Sequence, residues 1–228
     1  MDFLFSSFAA ALHLIGSFSP DVVDAVRTSL IVAAGATGFA TLLGIPAGVL
    51  IGLSEFPWKR LVVTVLNTLM AVPTVVVGLF VYGLLSRQGP LGVLGLLFTP
   101  TAIVIGGTLL AVPIIANTAL AAVRGADSRI VPTALTLGAG RLRAVSTLIG
   151  EIRFGILASV IAGFGRVVSE VGVAMMLGGN IRGYTRTMTT AIALETSKGE
   201  FAFGMALGIV LMLVALAVNL LLGLMQRK

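Results

Sequence analysis

Two groups of residues in this chain have types and spacings that can do chemistry. Arg166 and Glu170 lie four residues apart inside an apolar run, so on a helix they share one face and can pair. A charge in the membrane interior is costly, and such residues face a protein interior or a water-filled cavity. Two roles are open to them: a brace between helices, or the lining or gate of a path in which Arg166 favours an anion. The second group is the stretch from Ala134 to Arg153, ALTLGAGRLRAVSTLIGEIR, where arginines cluster around Leu137-Gly138-Ala139-Gly140. The glycines permit a sharp bend. Ala134, Leu135, Leu137 and Leu142 add an apolar face, which suits a short amphipathic helix lodged in a groove on a partner. The arginines alone could equally serve to fix membrane topology.

Other chemistries find no residues. A Gly-rich phosphate loop ending in Lys-Ser or Lys-Thr is missing, so ATP cannot be bound by that route. The one histidine, His13, cannot build a metal cluster, the serines have no histidine base, and there is no cysteine for a thiolate site or disulfide. The chain is therefore read as a non-enzyme with no catalytic, cofactor-binding or metal residues.

The surroundings that must position these groups are membrane helices. Hydrophobic residues make up 57% and charged residues 11%, and mean hydropathy is +1.11. Soluble domains sit near roughly 45–50% apolar and about 25% charged. The expected class is an all-α membrane protein, a single permease-like domain over residues 1–228. The net charge of +6 then belongs to loops, and without a basic run interleaved with aromatics it gives no reason to expect nucleic acid.

Five spans are predicted. The first, 28–53, carries Gly44, Gly48 and Gly52 on one face, a pattern for close helix contact within the subunit or with a second copy. The second, 61–85, holds Asn67 and a Pro73 kink, and the third, 101–123, holds Pro113 and Asn117. The fourth, 154–178, holds Arg166, Ser169 and Glu170 and ends at Gly178-Gly179-Asn180; the fifth is 203–225. Residues 1–24 are expected to form an interfacial segment, with a helix at 3–17 lying on the bilayer and Ser19 capping the next helix. Residues 91–98 read as a short re-entrant or interfacial piece. A short helix near 187–196 is expected in a polar loop, 179–202. The loops at 54–60 and 124–153 and the C-terminus share one side with nine bases, among them Arg227 and Lys228, against five on the other. The positive-inside rule puts the 124–153 loop in the cytoplasm and the 179–202 loop outside.

With those elements placed, TALTLGAGRLRAVSTLIGEIRFGIL resembles the coupling loop of ATP-binding-cassette importer permeases, with its Glu-Ala-Ala-x-x-x-Gly pattern. Gly138 matches the glycine and Ala134 the second alanine, while Pro132 and Thr133 stand at the glutamate and first alanine. The later Leu-Pro of many members falls on Gly150-Glu151. Pro132 suits the first turn of a coupling helix, where its missing N–H does no harm. Residues 163–201, with Ser169, Glu170 and Gly172, are similar to the tungstate and molybdate permeases, as is VPTVVVGLFVY at 72–82.

The resemblance, over roughly 25–226, implies a type I importer permease in a bacterial or archaeal cytoplasmic membrane. It implies a homodimer, two separate ATPase subunits that bind the ATP, and an extracytoplasmic binding protein that delivers tungstate or molybdate. Under it Pro132, Thr133, Ala134, Leu135, Leu137, Gly138, Ala139, Gly140 and Arg141 meet the ATPase. Asn67, Pro73, Arg166, Ser169, Glu170 and Asn180 line or gate the path. The alternative from another class is a secondary transporter or channel that uses no ATP, against which the lack of internal inverted repeats argues.

Overall fold

A computed structural model describes residues 2–226, and among them the backbone forms eleven α-helices and no strand. Arg227 and Lys228, two of the bases counted for topology, lie outside the described residues. The centre is a pair of long helices, α2 (Pro20–Leu53) and α5 (Pro100–Gly125), which make the most extensive helix contact in the chain. Both begin with Pro at their first position, where the missing N–H is no loss. Thr99 caps α5, its hydroxyl accepting from the Ala102 N–H. Ser19 precedes α2 but makes no side-chain cap bond, so the expected entry is found without its hydrogen bond.

Glycine decides how closely α2 and α5 approach. A Cβ at Gly48 would lie 2.3 Å from the Ala116 carbonyl oxygen and 2.9 Å from Ala119 Cβ, and at Gly44 and Gly52 it would meet Ile115 and Val123. The Gly44-Gly48-Gly52 face therefore packs inside the subunit. Pro46 and Pro113 are carried inside these helices without breaking them.

Among the described residues, three helices are long and apolar enough to cross a membrane: α2, α5 and α11 (Phe201–Gln226). Two more crossings arise if each of two bent pairs counts as one. The predicted second span is such a pair, α3 (Lys59–Ala71) and α4 (Thr74–Leu85), meeting at 95°. Pro73 makes a full break where a kink was expected. Val72 is extended at φ −63°, ψ 130°, the conformation that a following proline favours. The helix restarts with the Val76 and Val77 N–H groups donating to the Pro73 carbonyl.

The predicted fourth span is also interrupted. Helix α8 (Arg153–Val168) stops, and α9 (Gly172–Gly178) begins after a break at Ser169-Glu170-Val171. Between α5 and α8 lie α6 (Ile130–Thr136) and α7 (Arg141–Glu151), the latter meeting α8 at 70°. Helix α10 (Met188–Ser197) occupies the predicted place near 187–196. Residues 91–98 form only one 3-10 turn, Gly92–Leu94, closed by Gly95 at φ +59°. The first helix, α1 (Asp2–Gly16), packs on α11. At 1.5 Å per residue its 15 residues reach only about 22 Å, short of the roughly 30 Å hydrocarbon core.

Candidate functional site

Two places bring the sequence-predicted residues together. The first is the α6–α7 hinge. Asp127 opens α6: its carboxylate accepts from the Arg129 backbone N–H at 2.9 Å and binds the Arg129 guanidinium at 2.7 Å. The Arg129 guanidinium holds the Asp127 carboxyl below its usual range. Pro132 is the third residue of α6, among the N–H groups that have no intrahelical acceptor.

Leu137 ends α6 and Gly138 follows at φ +85°. The Gly138 N–H donates to the Leu135 carbonyl and the Ala139 N–H to that of Ala134, both at 3.0 Å. This is the paired closure in which glycine is favoured, because a Cβ disfavours the left-handed backbone. Gly140, extended, then starts α7.

The hinge is held from beneath and bare on top. Leu148 and Ile152 are buried with Val49 of α2 and Val123 of α5, and Ile130, Val131 and Val145 pack on that cluster. Leu137 and Leu142, by contrast, are 83% and 89% exposed. Thr133, Leu135 and Arg141 are also exposed, Pro132 with them, while Ala134 and Ala139 are half-buried. A groove lined by Thr133, Ala134, Leu137, Ala139 and Arg143 lies between the two helices.

The second place is a junction of the two helix breaks. Arg166, at the end of α8, donates to Glu170 Oε2 at 2.7 Å, so the four-residue spacing gives a pair although the helix does not continue. Glu170 is 6% exposed and Arg166 30%. The other carboxylate oxygen of Glu170 accepts from the Val173 N–H at 3.1 Å, which starts α9, and its carbonyl accepts from the Thr189 hydroxyl at 2.7 Å. Glu170 thus supplies the acceptor that the interrupted helix lacks. Ser169 is exposed, its hydroxyl donating back to the Gly165 carbonyl at 2.8 Å.

Across from this break stands the other one. A Cβ on Gly172 would lie 2.9 Å from Thr74 Oγ1 and 3.3 Å from Val75 Cγ2, so α4 and α9 start side by side. Gly78 continues the contact against Met176 and Val173. Pro73 is exposed at this junction.

Asn67 and Asn180 are placed elsewhere. Asn67 is exposed on α3. Asn180, at φ +52°, accepts from the Thr190 hydroxyl at 2.9 Å and donates to the Thr190 carbonyl. Its amide anchors the loop after α9 on α10.

The sequence shows the loop around it as threonine-rich but not the bonds these threonines make. Thr187 and Thr190 form a reciprocal capping box, the Met188 N–H donates to Ser29 Oγ at 2.7 Å, and Thr185 Oγ1 donates to the Gly178 carbonyl. The Thr-x-x-Thr spacing was the signal available for that box. A cavity of about 10 Å³, the size of one water, lies between Ser29, Glu170, Thr187 and Thr189. Ion pairs of Arg182 with Asp21, and of Arg186 and Lys198 with Glu195, tie the same loop to α2 and α10.

A long, closely packed helix pair, two facing helix breaks and a basic helical hinge fit a multi-pass membrane permease of the type I importer class. The fold is similar to a chain of the MetNI methionine ABC transporter in its inward-facing conformations. The TM-score is 0.75, with 16% identity over 92% of this chain and 97% of that chain. The protein belongs to the family of binding-protein-dependent transport system inner membrane components, whose model matches residues 44–228. It is 40% identical to the tungstate uptake system permease protein TupB of Peptoclostridium acidaminophilum, over 100% of both chains. Identity is again 40% with TupB of Campylobacter jejuni, over 100% of this chain and 95% of that one. The molybdenum transport system permease protein ModB of Escherichia coli is 29% identical, over 78% of this chain and 82% of its own.

Proposed function

We propose that this chain is the permease subunit of an ATP-driven importer of a tetrahedral oxyanion, tungstate first and molybdate second. The observation that carries the substrate is the end-to-end likeness to two tungstate permeases. Two copies enclose the path, each engages one separate ATPase subunit that binds the ATP, and an extracytoplasmic binding protein delivers the anion. Five crossings surround a path poorly, and a two-fold pair is the commonest closed solution.

In this reading the exposed leucines of the hinge, Leu137 and Leu142, enter the ATPase, with Pro132 to Arg141 forming the contact. Burial of Leu148 and Ile152 against α2 and α5 gives the hinge a stiff connection to the spans. Closure of the ATPases on ATP then moves α6 and α7 and, through that cluster, the helices around the path. The coupling energy is the difference in ATP affinity between inward- and outward-facing states, with no bond made or broken in this chain. The paired breaks at Pro73 and at Ser169-Glu170 are the places where helices change direction at least cost. Together with Asn67, Arg166 and Asn180 they form or support the path and its gate.

The test is reconstitution with the partner ATPase and the binding protein. ATP hydrolysis and uptake should rise with tungstate-loaded binding protein, less with molybdate and least with sulfate. If no oxyanion-loaded form stimulates hydrolysis, the importer reading fails.

A further inference from the structure

We infer that the inner half of the oxyanion path is a polar stripe on α3, Arg60-Thr64-Asn67-Thr68, opening into a basic mouth formed with Arg124. At 100° per residue these four side chains fall within an arc of about 100° on one side of the helix. All four are exposed, and no residue of α3 is buried. A second exposed side, Leu61, Val65 and Leu69, is wholly apolar. Lipid can cover the second side. It covers the first poorly, because the Arg60 guanidinium and the Asn67 amide have no side-chain partner among the described residues, and such groups are costly in hydrocarbon.

The partners within the chain are few. The Thr64 and Thr68 hydroxyls donate to the carbonyls of Arg60 and Thr64, each at 2.9 Å, and can rotate toward a water or an anion. Among the described residues the Asn67 amide has no hydrogen bond.

Charge at the mouth selects the occupant. Arg60 and Thr64 line a cleft of about 900 Å³ together with Lys59, Arg124 and Glu55. Glu55 holds Lys59 at 2.7 Å, whereas neither Arg60 nor Arg124 is in an ion pair among the described residues. Three bases against one acid leave the cleft at +2. The stripe above it carries hydroxyls and an amide without further charge, which suits passage: an anion is attracted to the mouth but not trapped along the way. The inference rests on the importer reading and adds to it the residues that meet the anion on the cytoplasmic side.

The chain has no cysteine, so single cysteines report cleanly. We would place Thr64→Cys, Asn67→Cys and Thr68→Cys on the stripe and Leu61→Cys, Val65→Cys and Leu69→Cys beside it, in the complex with its ATPase. Each would be exposed from the cytoplasmic side to an anionic and a cationic methanethiosulfonate. Stripe positions should react about tenfold faster than the apolar ones, and faster with the anionic reagent. That preference should shrink in Arg60→Gln and Arg124→Gln backgrounds. ATP without magnesium, which holds the ATPases closed, should slow labelling of the stripe severalfold.

Equal rates on both sides of α3, no preference for the anionic reagent, or rates indifferent to ATP would each overturn the inference. The last would mark a helix lying flat on the membrane surface. The importer reading is scored separately, on hydrolysis stimulated by the loaded binding protein with the cysteine-free chain. Failure there with the labelling pattern intact sinks the importer and spares the stripe; the converse sinks only the stripe.

Discussion

Gly138 and Glu170 show how much rests on single residues. Gly138 has φ +85° with nothing within 4 Å of where a Cβ would stand, so its constraint is conformational and not steric. Placing any other residue in the left-handed region costs about 1–2 kcal/mol, enough to reopen the end of α6 without disturbing the spans. Gly138→Leu is expected to lose co-purification with the ATPase while its thermal unfolding stays near that of the parent. Normal ATPase yield from that variant would mean that the hinge is not the handle. Glu170 makes three contacts and is nearly inaccessible, so losing either member of its ion pair leaves a charge uncompensated. Arg166→Gln and Glu170→Gln singly should lower the yield of folded protein. The double variant, with no net charge to bury, should recover yield but not uptake. Recovery of both would reduce the pair to a brace.

At the scale of elements, the α2–α5 pair is set by where side chains are absent. Gly48→Ala would push a methyl against the Ala116 carbonyl and is expected to destabilise the bundle by about 1–3 kcal/mol. Gly38→Ala on the same helix meets nothing within 4 Å and should be neutral or slightly stabilising. Comparing the two melting temperatures in one detergent checks this, and equal shifts would count against close packing at Gly48. The elements were partly legible in the sequence. Thr99-Pro100 at the start of α5 and the threonines around α10 are start signals of a local kind that hold in any surrounding. The two breaks were legible only as a kink and as nothing. Whether a proline bends a helix or ends it depends on what else can accept the freed backbone groups. At Glu170 the helix ends because its own carboxylate accepts the Val173 N–H and a distant threonine, Thr189, donates its hydroxyl to the freed Glu170 carbonyl.

For the whole molecule, two helix breaks face each other at the 73–74 and 169–172 junction, and a further bend of 70° joins α7 of the hinge to α8. A single copy leaves the polar side of α3 uncovered, which is what a subunit of a larger assembly would show. The detergent-solubilised complex is expected to contain two permease chains with two ATPase chains. Its mass by light scattering checks this, and a stable one-to-one complex that still transports would reject the two-fold path.

The sequence by itself determined the membrane class, the helical content, the basic hinge with its glycine turn, and the pairing of Arg166 with Glu170. These come from composition, from local backbone preference and from a spacing of four, and none depends on distant contacts. Tertiary structure alone decided that Gly44, Gly48 and Gly52 face α5 within the subunit. It also decided that Asn180 spends its amide on Thr190, and that the breaks at Pro73 and Glu170 meet across Gly172. The physical reason is the same in each case. A glycine face, an amide or an interrupted helix will accept several partners, and only the path of the rest of the chain determines which of them lies within reach.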